Sequence, residues 1–185
     1  AAIMSWRGTK GGVEASNKGH EVVMSPTTFT YIDYMQSDEI MEPKVYASLR
    51  VSKTYSYEPV SEGINAKLVK GVQANLWTEQ VYNYRQVQYM TWPRAFAISE
   101  IAWSPSGKKN WNNFVGKIED HFKRFDIAEW KYAPSMYDAD FKVTKDATNQ
   151  LTVGLTIEVE GLDIYYSFDN SYPDHFYPKY TAPVV

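Results

Sequence analysis

Strand-like and helical segments alternate along the first part of the chain, and this alternation most constrains its fold. Apolar, β-rich segments occupy residues 2–6, 21–26 and 68–75. A short helix-like stretch at 13–17 separates the first two, and Gly19 follows it as a typical helix C-cap. Strand, helix and strand in this order, with short connections, are typical of a parallel sheet. We therefore predict an α/β fold built on parallel strands.

Helical segments follow the third strand. The pattern predicts helices at 81–92 and 94–103, with Pro93 as a kink or as the start of the second helix. Residues 111–125 form an amphipathic pattern whose apolar face holds Phe114, Ile118, Phe122 and Phe125. The second helix repeats apolar residues every three or four positions, at Ala95, Phe96, Ile98, Ile101 and Ala102.

The pattern changes after Pro134. Helical periodicity ends, and Asp169-Asn170-Ser171 is a turn-rich tripeptide. We predict a domain boundary near Pro134, with residues 1–133 as the α/β part and 134–185 as a small antiparallel β module. Strand-like alternation occurs there at 141–144, 151–159 and 164–168.

Both ends of the chain resemble domain interior. The sequence starts Ala1-Ala2-Ile3-Met4-Ser5-Trp6, without an initiator Met or a signal-like segment. It ends on Ala182-Pro183-Val184-Val185, although natural termini usually trail off in polar residues. We expect a piece of a longer polypeptide; a trimmed but complete domain is the alternative.

Composition excludes several classes of function. Nineteen basic and 22 acidic residues leave a net charge of −3, so charge gives no reason to expect nucleic acid or an anionic membrane as partner. No apolar run is long enough to span a bilayer. Without Cys there is no disulfide, thiol nucleophile or Cys-ligated zinc. The three scattered histidines, His20, His121 and His175, lack ligand spacing, so we expect no metal and no cofactor.

Aromatic and acidic residues follow the three predicted strands. Trp6 ends the first, Tyr31 and Asp33 follow the second, and Trp77 and Glu79 follow the third. Ligands bind at the C-terminal ends of parallel strands, and residues two apart in extended backbone point to one side. Aromatic faces with carboxylate acceptors suit a neutral polyol. Spacing alone leaves the alternative of core aromatics and solvated acids open.

Six short motifs occur in one order between residues 6 and 104. They are Trp6, Gly19 to Pro26, Tyr31-Ile32-Asp33-Tyr34, Gly71 to Glu79, Tyr89 to Arg94 and Ser99 to Ser104. Together they closely resemble the C-terminal half of the catalytic domain of β-N-acetylhexosaminidases, glycoside hydrolase family 20, over about residues 1–132. The tail is similar to the small β-sandwich that follows this domain in many bacterial members.

The resemblance implies a fold, an activity and a location. The fold is the C-terminal portion of a (β/α)8 TIM barrel, about three strands, followed by a small antiparallel β-sandwich module that we expect to be truncated here. The activity is exo-acting release of a terminal N-acetylhexosamine from an amino-sugar glycan, with retained configuration. Catalysis is substrate-assisted, since the acetamide oxygen of the sugar attacks the anomeric carbon. The location is periplasmic or extracellular.

The resemblance also assigns roles to the residues at the strand ends. Tyr31 is the catalytic residue, which hydrogen-bonds the acetamide oxygen and steers its attack. Trp6 lines the acetamide pocket, and Trp77 forms the apolar floor. Asp33 and Glu79 accept hydrogen bonds from sugar hydroxyls.

One departure from the family concerns the catalytic acid. The family's Asp-Glu pair follows a strand that ends in a His-x-Gly-Gly type motif, and no such strand is present. Asp38-Glu39 is adjacent but follows a different strand, so the acid role is not assigned to Glu39. Arg7 does not match the family's early sugar-binding Arg. We expect the chain alone to be inactive, and to pair with a missing N-terminal part or to self-associate through open sheet edges.

Other readings stay open from the sequence. A non-catalytic carbohydrate-binding module would use the same aromatics without cleaving the glycan. Tyr82, Tyr84 and Tyr89 fit either a second sugar subsite or helix packing. Tyr55 and Tyr57 either cap the pocket or fasten a loop.

Overall fold

The chain forms two compact units. A computed structural model describes residues 1–184. The first unit is Ala1–Ser135 and the second is Met136–Val185.

The first unit is built on a three-stranded parallel sheet. Strand β1 is Ala2–Ser5, β2 is Glu21–Met24 and β3 is Val69–Val72. Their order is β1-β2-β3, and both pairings are parallel. The predicted α/β class with parallel strands is therefore confirmed.

Six helices accompany the sheet. Helix α4 starts later than the predicted residue 81, because the side chain of Asn83 accepts a hydrogen bond from the Gln86 N–H at 3.0 Å and caps it there. Pro93 separates α4 from α5. Three 3₁₀ turns lie at Ala66–Leu68, Ser106–Lys108 and Ser135–Tyr137. The helices are α1 Lys10–Asn17, α2 Thr27–Thr30, α3 Val51–Tyr55, α4 Tyr84–Thr91, α5 Arg94–Trp103 and α6 Trp111–Ile127.

The sheet packs tightly against α1. Gly12 lies on the buried side of α1, and its N–H donates to Ser5 Oγ at 2.9 Å. A Cβ at this position would lie 2.6 Å from Met24 Sδ. A side chain at Gly12 would therefore require the buried side chain of Met24 to shift.

The buried faces of α5 and α6 agree only in part with the apolar patterns in the sequence. Phe114, Ile118 and Phe122 of α6 are buried, as predicted. In α5 the buried residues are Arg94, Ala97 and Ile101, whereas Ala102 is exposed. Ala102 belongs to the apolar repeat of α5 but lies outside its buried face.

Tyr55 and Tyr57 are packing residues. The Tyr55 ring stacks on Phe114 at 4.4 Å, and the Tyr57 ring stacks on Phe29 at 4.7 Å. Both side chains are buried. The sequence left open whether these tyrosines cap the pocket or hold a loop in place, and the structure favours the second interpretation.

The second unit contains a two-stranded antiparallel sheet. Strand β4 is Asp140–Lys145 and β5 is Leu151–Thr156. The predicted third strand at 164–168 does not form, and only an isolated bridge joins Tyr165 to Lys179. The neighbouring Pro178 has no N–H to donate, so the ladder does not extend.

Candidate functional site

An open cleft of about 690 Å³ lies at the C-terminal ends of the three parallel strands. Its volume is in the range of small-molecule sites. The structure brings all five predicted site residues into its lining, which consists of Met4, Trp6, Thr27, Tyr31, Asp33, Tyr34, Tyr46, Asn75, Trp77 and Glu79.

Backbone hydrogen bonds beyond the strands hold the cleft walls together. The Trp6 carbonyl accepts from the Thr27 N–H at 3.0 Å. Farther along, the Asn75 N–H donates to Thr30 O at 3.0 Å, and the Ile32 N–H donates to Asn75 O at 2.8 Å. The segments that carry Tyr31 and Trp77 are thus pinned side by side at one edge of the sheet.

The two tryptophans form exposed apolar surface in the cleft. Trp6 is 44 % exposed and Trp77 is 54 % exposed. Tyr31 is 9 % exposed and closes the deeper part. The Arg7 guanidinium lies 4.6 Å from the centre of the Trp6 ring, a cation–π contact outside the cleft lining. The tryptophans are therefore not core residues, and they are open to a ligand.

Asp33 is a buried acid on the cleft wall. It is only 3 % exposed, and its Oδ1 has no hydrogen-bond partner among the described residues. Burial raises the pKa of the Asp33 carboxyl above its usual 3.8; its backbone hydrogen bond and the charge of Arg94 lower it, and Glu79 raises it further. Glu79 itself is exposed. The cleft thus offers one buried and one solvated carboxylate to a hydroxyl-bearing ligand.

Arg94 fastens the loop that follows Tyr31. Its guanidinium is fully buried and donates to the carbonyls of Ile32 at 2.7 Å, Leu49 at 3.1 Å and Met90 at 2.9 Å. A longer contact of 3.4 Å reaches the carbonyl of Met35. Burial lowers the pKa of Arg94 to about 9, so the group remains charged at neutral pH. Arg94 therefore joins α4 and α5 to the loop that carries Tyr31 and Asp33.

Sequence reasoning missed half of the lining. Tyr34 and Asn75 lie within motifs that the sequence already singled out, so their place in the chain was a usable signal. Met4 belongs to β1, and Thr27 opens α2. Tyr46 comes from an irregular loop and carries no sequence signal.

Other candidates from the sequence lie elsewhere. Tyr82 and Tyr89 line a separate cleft of about 420 Å³, and Tyr84 lines neither cleft. Tyr82 is 78 % exposed, so helix packing does not explain it. Glu39 is outside the main cleft and pairs with Lys44 at 2.5 Å.

The part of the chain that the structure describes contains neither a cluster of potential metal ligands nor a helix suited to span a membrane. Residues 1–184 contain no group of three His, Asp or Glu side chains placed to hold a metal ion. Within the same range no helix has the length and apolar character needed to cross a bilayer.

Comparison with known families gives one match over most of the first unit. The model of "Glycosyl hydrolase family 20, catalytic domain" matches residues 1–106. This range contains every residue that lines the cleft.

Known proteins are similar over the same region. The β-hexosaminidase of Porphyromonas gingivalis is 36 % identical over 134 residues, which cover 69 % of this chain and 17 % of that protein. A structure of the Streptomyces plicatus N-acetyl-β-hexosaminidase matches with a TM-score of 0.66 and 25 % identity, over 73 % of this chain and 29 % of that one. The Vibrio harveyi family 20 exo-β-N-acetylglucosaminidase, in complex with N-acetylglucosamine, matches with a TM-score of 0.66 and 28 % identity, over 72 % of this chain and 22 % of that one. The chain therefore spans less than a third of each of these relatives.

Proposed function

Because the chain belongs to glycosyl hydrolase family 20, we propose that it forms part of an exo-acting β-N-acetylhexosaminidase. The cleft at the strand ends binds the terminal N-acetylhexosamine of a glycan. In this proposal the parallel sheet is the C-terminal portion of a (β/α)8 barrel, residues 1–133 form that portion, and residues 134–185 belong to a β-sandwich module.

One observation carries the proposal. Trp6, Tyr31, Asp33, Trp77 and Glu79 come from three separate strand ends, and they line a single cleft. Sugar rings have apolar C–H faces and a rim of hydroxyl donors. Two exposed indoles with two carboxylates match both features, and the described residues that line the cleft include no Lys or Arg that would favour an anionic ligand.

Each residue has a distinct role in this proposal. Trp77 lies under the sugar ring, and Trp6 lines the pocket of the acetamide group. Asp33 and Glu79 accept hydrogen bonds from sugar hydroxyls. Tyr31 donates its phenolic hydrogen to the acetamide oxygen and holds that oxygen below the anomeric carbon.

The proposed reaction uses the substrate's own nucleophile. The acetamide oxygen attacks the anomeric carbon, the glycosidic bond breaks, and an acid protonates the departing oxygen. Water then adds to the anomeric carbon of the oxazolinium intermediate and gives a proton to the conjugate base of that acid, while the bond from the anomeric carbon to the acetamide oxygen breaks. The two inversions retain the configuration. The aromatic walls keep other water away from the intermediate.

The acid comes from outside these 185 residues in this proposal. The only adjacent Asp-Glu is Asp38-Glu39, and Glu39 is exposed and paired with Lys44 outside the cleft. A remaining segment of the same polypeptide, covering the open edge of the sheet, would supply the catalytic pair. A periplasmic or extracellular location is part of the proposal and rests on the family alone.

The test uses the full-length polypeptide that contains these residues. Wild type is expected to release nitrophenol from 4-nitrophenyl N-acetyl-β-glucosaminide. Tyr31→Phe is expected to lower kcat about 100-fold or more, because a donor aimed at the attacking oxygen is lost. Glu79→Gln is expected to weaken binding of an N-acetylglucosamine thiazoline analogue about 10- to 100-fold, because a charged acceptor is lost.

Matched controls lie outside the cleft. Tyr82→Phe and Glu62→Gln change exposed side chains of the same kinds and are expected to leave both measurements within twofold. An unchanged kcat in Tyr31→Phe together with an unchanged affinity for the analogue in Glu79→Gln would refute the site. Tight binding of the analogue without any turnover by wild type would favour the non-catalytic carbohydrate-binding module instead.

A further inference from the structure

We propose that Arg7 is a positioning residue, which holds the Trp6 indole in place and thereby limits the size of the N-acyl group that the cleft accepts. This inference rests on the proposed function, in which Trp6 lines the acetamide pocket. It adds a residue that acts on substrate selectivity from outside the cleft, since Arg7 itself is not part of the lining.

The backbone places Arg7 in a tight turn directly after β1. Ser5 Oγ donates to the Gly8 carbonyl at 2.8 Å and accepts from the Gly12 N–H at 2.9 Å, so this turn is joined to the strand and to α1. Gly8 has a φ of 101°, a conformation that favours glycine. The short segment that carries Arg7 is therefore held at both of its ends.

The Arg7 guanidinium lies against the ring of its neighbour Trp6. The guanidinium carbon is 4.6 Å from the ring centre, inside the range of about 6 Å over which a cation is attracted to an aromatic face. Within residues 1–184, Arg7 takes part in no ion pair with a carboxylate. No acidic side chain in this range therefore competes with the indole for the Arg7 charge.

This contact distinguishes the two exposed tryptophans of the cleft. In the part of the chain that the structure describes, neither Trp6 nor Trp77 has a ring–ring contact with another aromatic residue. Among the same residues no cation lies over Trp77, whereas Arg7 lies over Trp6. The Trp6 ring is therefore restrained by a side chain that the cleft does not use, and the Trp77 ring is not.

A restrained indole limits the space beside it. In the proposed function the methyl group of the acetamide lies in the pocket that Trp6 lines. A longer acyl chain requires the indole to move, and this movement breaks the contact with the Arg7 guanidinium. Arg7 therefore opposes binding of a larger acyl group and leaves binding of the acetyl group unchanged. The favoured substrates are amino sugars with a short N-acyl group.

The test compares two substrates of the full-length protein that contains these residues. One is 4-nitrophenyl N-acetyl-β-glucosaminide, and the other is its N-propionyl counterpart, which has one more methylene group. For Arg7→Gln, the ratio of the acetyl kcat/KM to the propionyl kcat/KM is expected to fall about fivefold, because the lost contact opposed only the longer chain. Arg7→Lys is expected to keep the wild-type ratio within twofold, since an ammonium group also binds an aromatic face.

Arg85→Gln is the matched control, because Arg85 is an exposed arginine that does not line the main cleft. Its ratio is expected to stay at the wild-type value. A variant that only loses stability lowers both kcat/KM values together, so the ratio separates selectivity from folding.

Three outcomes would overturn the role of Arg7 and leave the proposed function standing. They are an unchanged ratio in Arg7→Gln, an equal fall in Arg7→Gln and Arg7→Lys, and no hydrolysis of the propionyl substrate by either wild type or Arg7→Gln. If wild type hydrolyses neither substrate, the proposed function fails, and the role of Arg7 fails with it.

Discussion

At Asp33, burial disfavours the charged form of the carboxyl, whereas the proposed role in binding uses that charged form as an acceptor. Burial raises the pKa of its carboxyl, and one of its oxygens has no hydrogen-bond partner among the described residues. A buried carboxylate that lacks donors costs folding free energy. In the proposed function a sugar hydroxyl supplies a donor to this oxygen, so the same carboxyl would lower stability and contribute to affinity.

Asp33→Asn is expected to separate stability from binding. Because the folded-state pKa is raised, the contribution of Asp33 to stability is greatest below its usual pKa of 3.8 and is lost as pH rises through the raised pKa. The Asn variant should therefore have a higher Tm than wild type at pH 7, and this gain should shrink towards acid pH. Sugar affinity should fall about 10- to 100-fold, because a charged acceptor is lost.

Asp120→Asn is the control for the pH trend. Asp120 is exposed and accepts from Lys123 at 2.9 Å, and this hydrogen bond lowers the pKa of its carboxyl. The contribution of Asp120 to stability is lost as pH falls, so the pH dependence of Tm in Asp120→Asn should be opposite to that in Asp33→Asn. Sugar affinity of Asp120→Asn should be unchanged. Thermal unfolding from pH 4 to 8 measures both variants; a lower Tm of Asp33→Asn at pH 7 would contradict the expectation.

At the scale of secondary-structure elements, the hydrogen bonds of Arg94 are the main contacts that hold the loop of Tyr31 and Asp33 in place. A single side chain of α5 meets the carbonyls of Ile32, Met35 and Leu49 in the loop, besides that of Met90 in α4. Gln36, in the same loop, also bonds to this helical region: its Nε2 donates to the Trp92 carbonyl at 3.1 Å and to the Tyr89 carbonyl. The helices that follow the sheet therefore determine where Tyr31 and Asp33 lie.

Arg94→Met is expected to lower the free energy of unfolding by about 3 kcal/mol or more, because several buried carbonyls lose their donor. It should also lower activity, since the loop that carries Tyr31 loses its anchor. Urea unfolding and turnover of the chromogenic substrate measure the two effects.

Arg85→Met is the control. Arg85 is exposed and makes one 3.3 Å hydrogen bond to the Glu129 carbonyl, so its substitution should change the free energy of unfolding by no more than about 0.5 kcal/mol. Similar effects of the two variants would contradict the role of Arg94.

For the whole molecule, the sheet has two outer strands, each with a neighbour on only one side among the described residues. Strands β1 and β3 both pair with β2. Ile3 and Met4 of β1 are largely exposed and form an apolar edge. An edge of this kind tends to pair with another chain.

The 185-residue chain on its own is expected to self-associate and to hydrolyse no N-acetylglucosaminide. Light scattering should give a molecular mass above 21.3 kDa that rises with concentration. The chromogenic assay should show no turnover, because in the proposed function the catalytic Asp-Glu pair lies outside these 185 residues. A stable monomer would contradict the open edge, and turnover that is lost in Glu39→Gln would contradict an acid outside this chain.

Much of the site was predictable from local patterns. Trp6, Tyr31 and Trp77 each follow a β-rich segment, and parallel strands bring their C-terminal ends to one edge. Asp33 and Glu79 each lie two positions after an aromatic residue. These inferences need only chain order and strand direction, and the cleft lining agrees with them.

The rest depends on contacts between residues far apart in sequence. Tyr46 joins the cleft because Met35 pairs with the segment at 47–49, and a hydrophobicity pattern contains no trace of that pairing. Arg94 is buried although a charged residue in a helix is ordinarily expected to face solvent. The predicted strand at 164–168 was wrong for a similar reason, because its partner segment contains Pro178.

The sequence by itself determined the order of the main elements and the parallel sheet, since these follow from periodicity along the chain, and its motifs resemble those of the family. Only the tertiary structure decided which loop closes the cleft, which side chains are buried and how the pKa of Asp33 shifts. The physical reason is that burial, desolvation and hydrogen bonding to distant carbonyls are properties of neighbours in space. In this chain the hydrogen bonds of Arg94 and the Met35 bridge hold the distant segments next to one another.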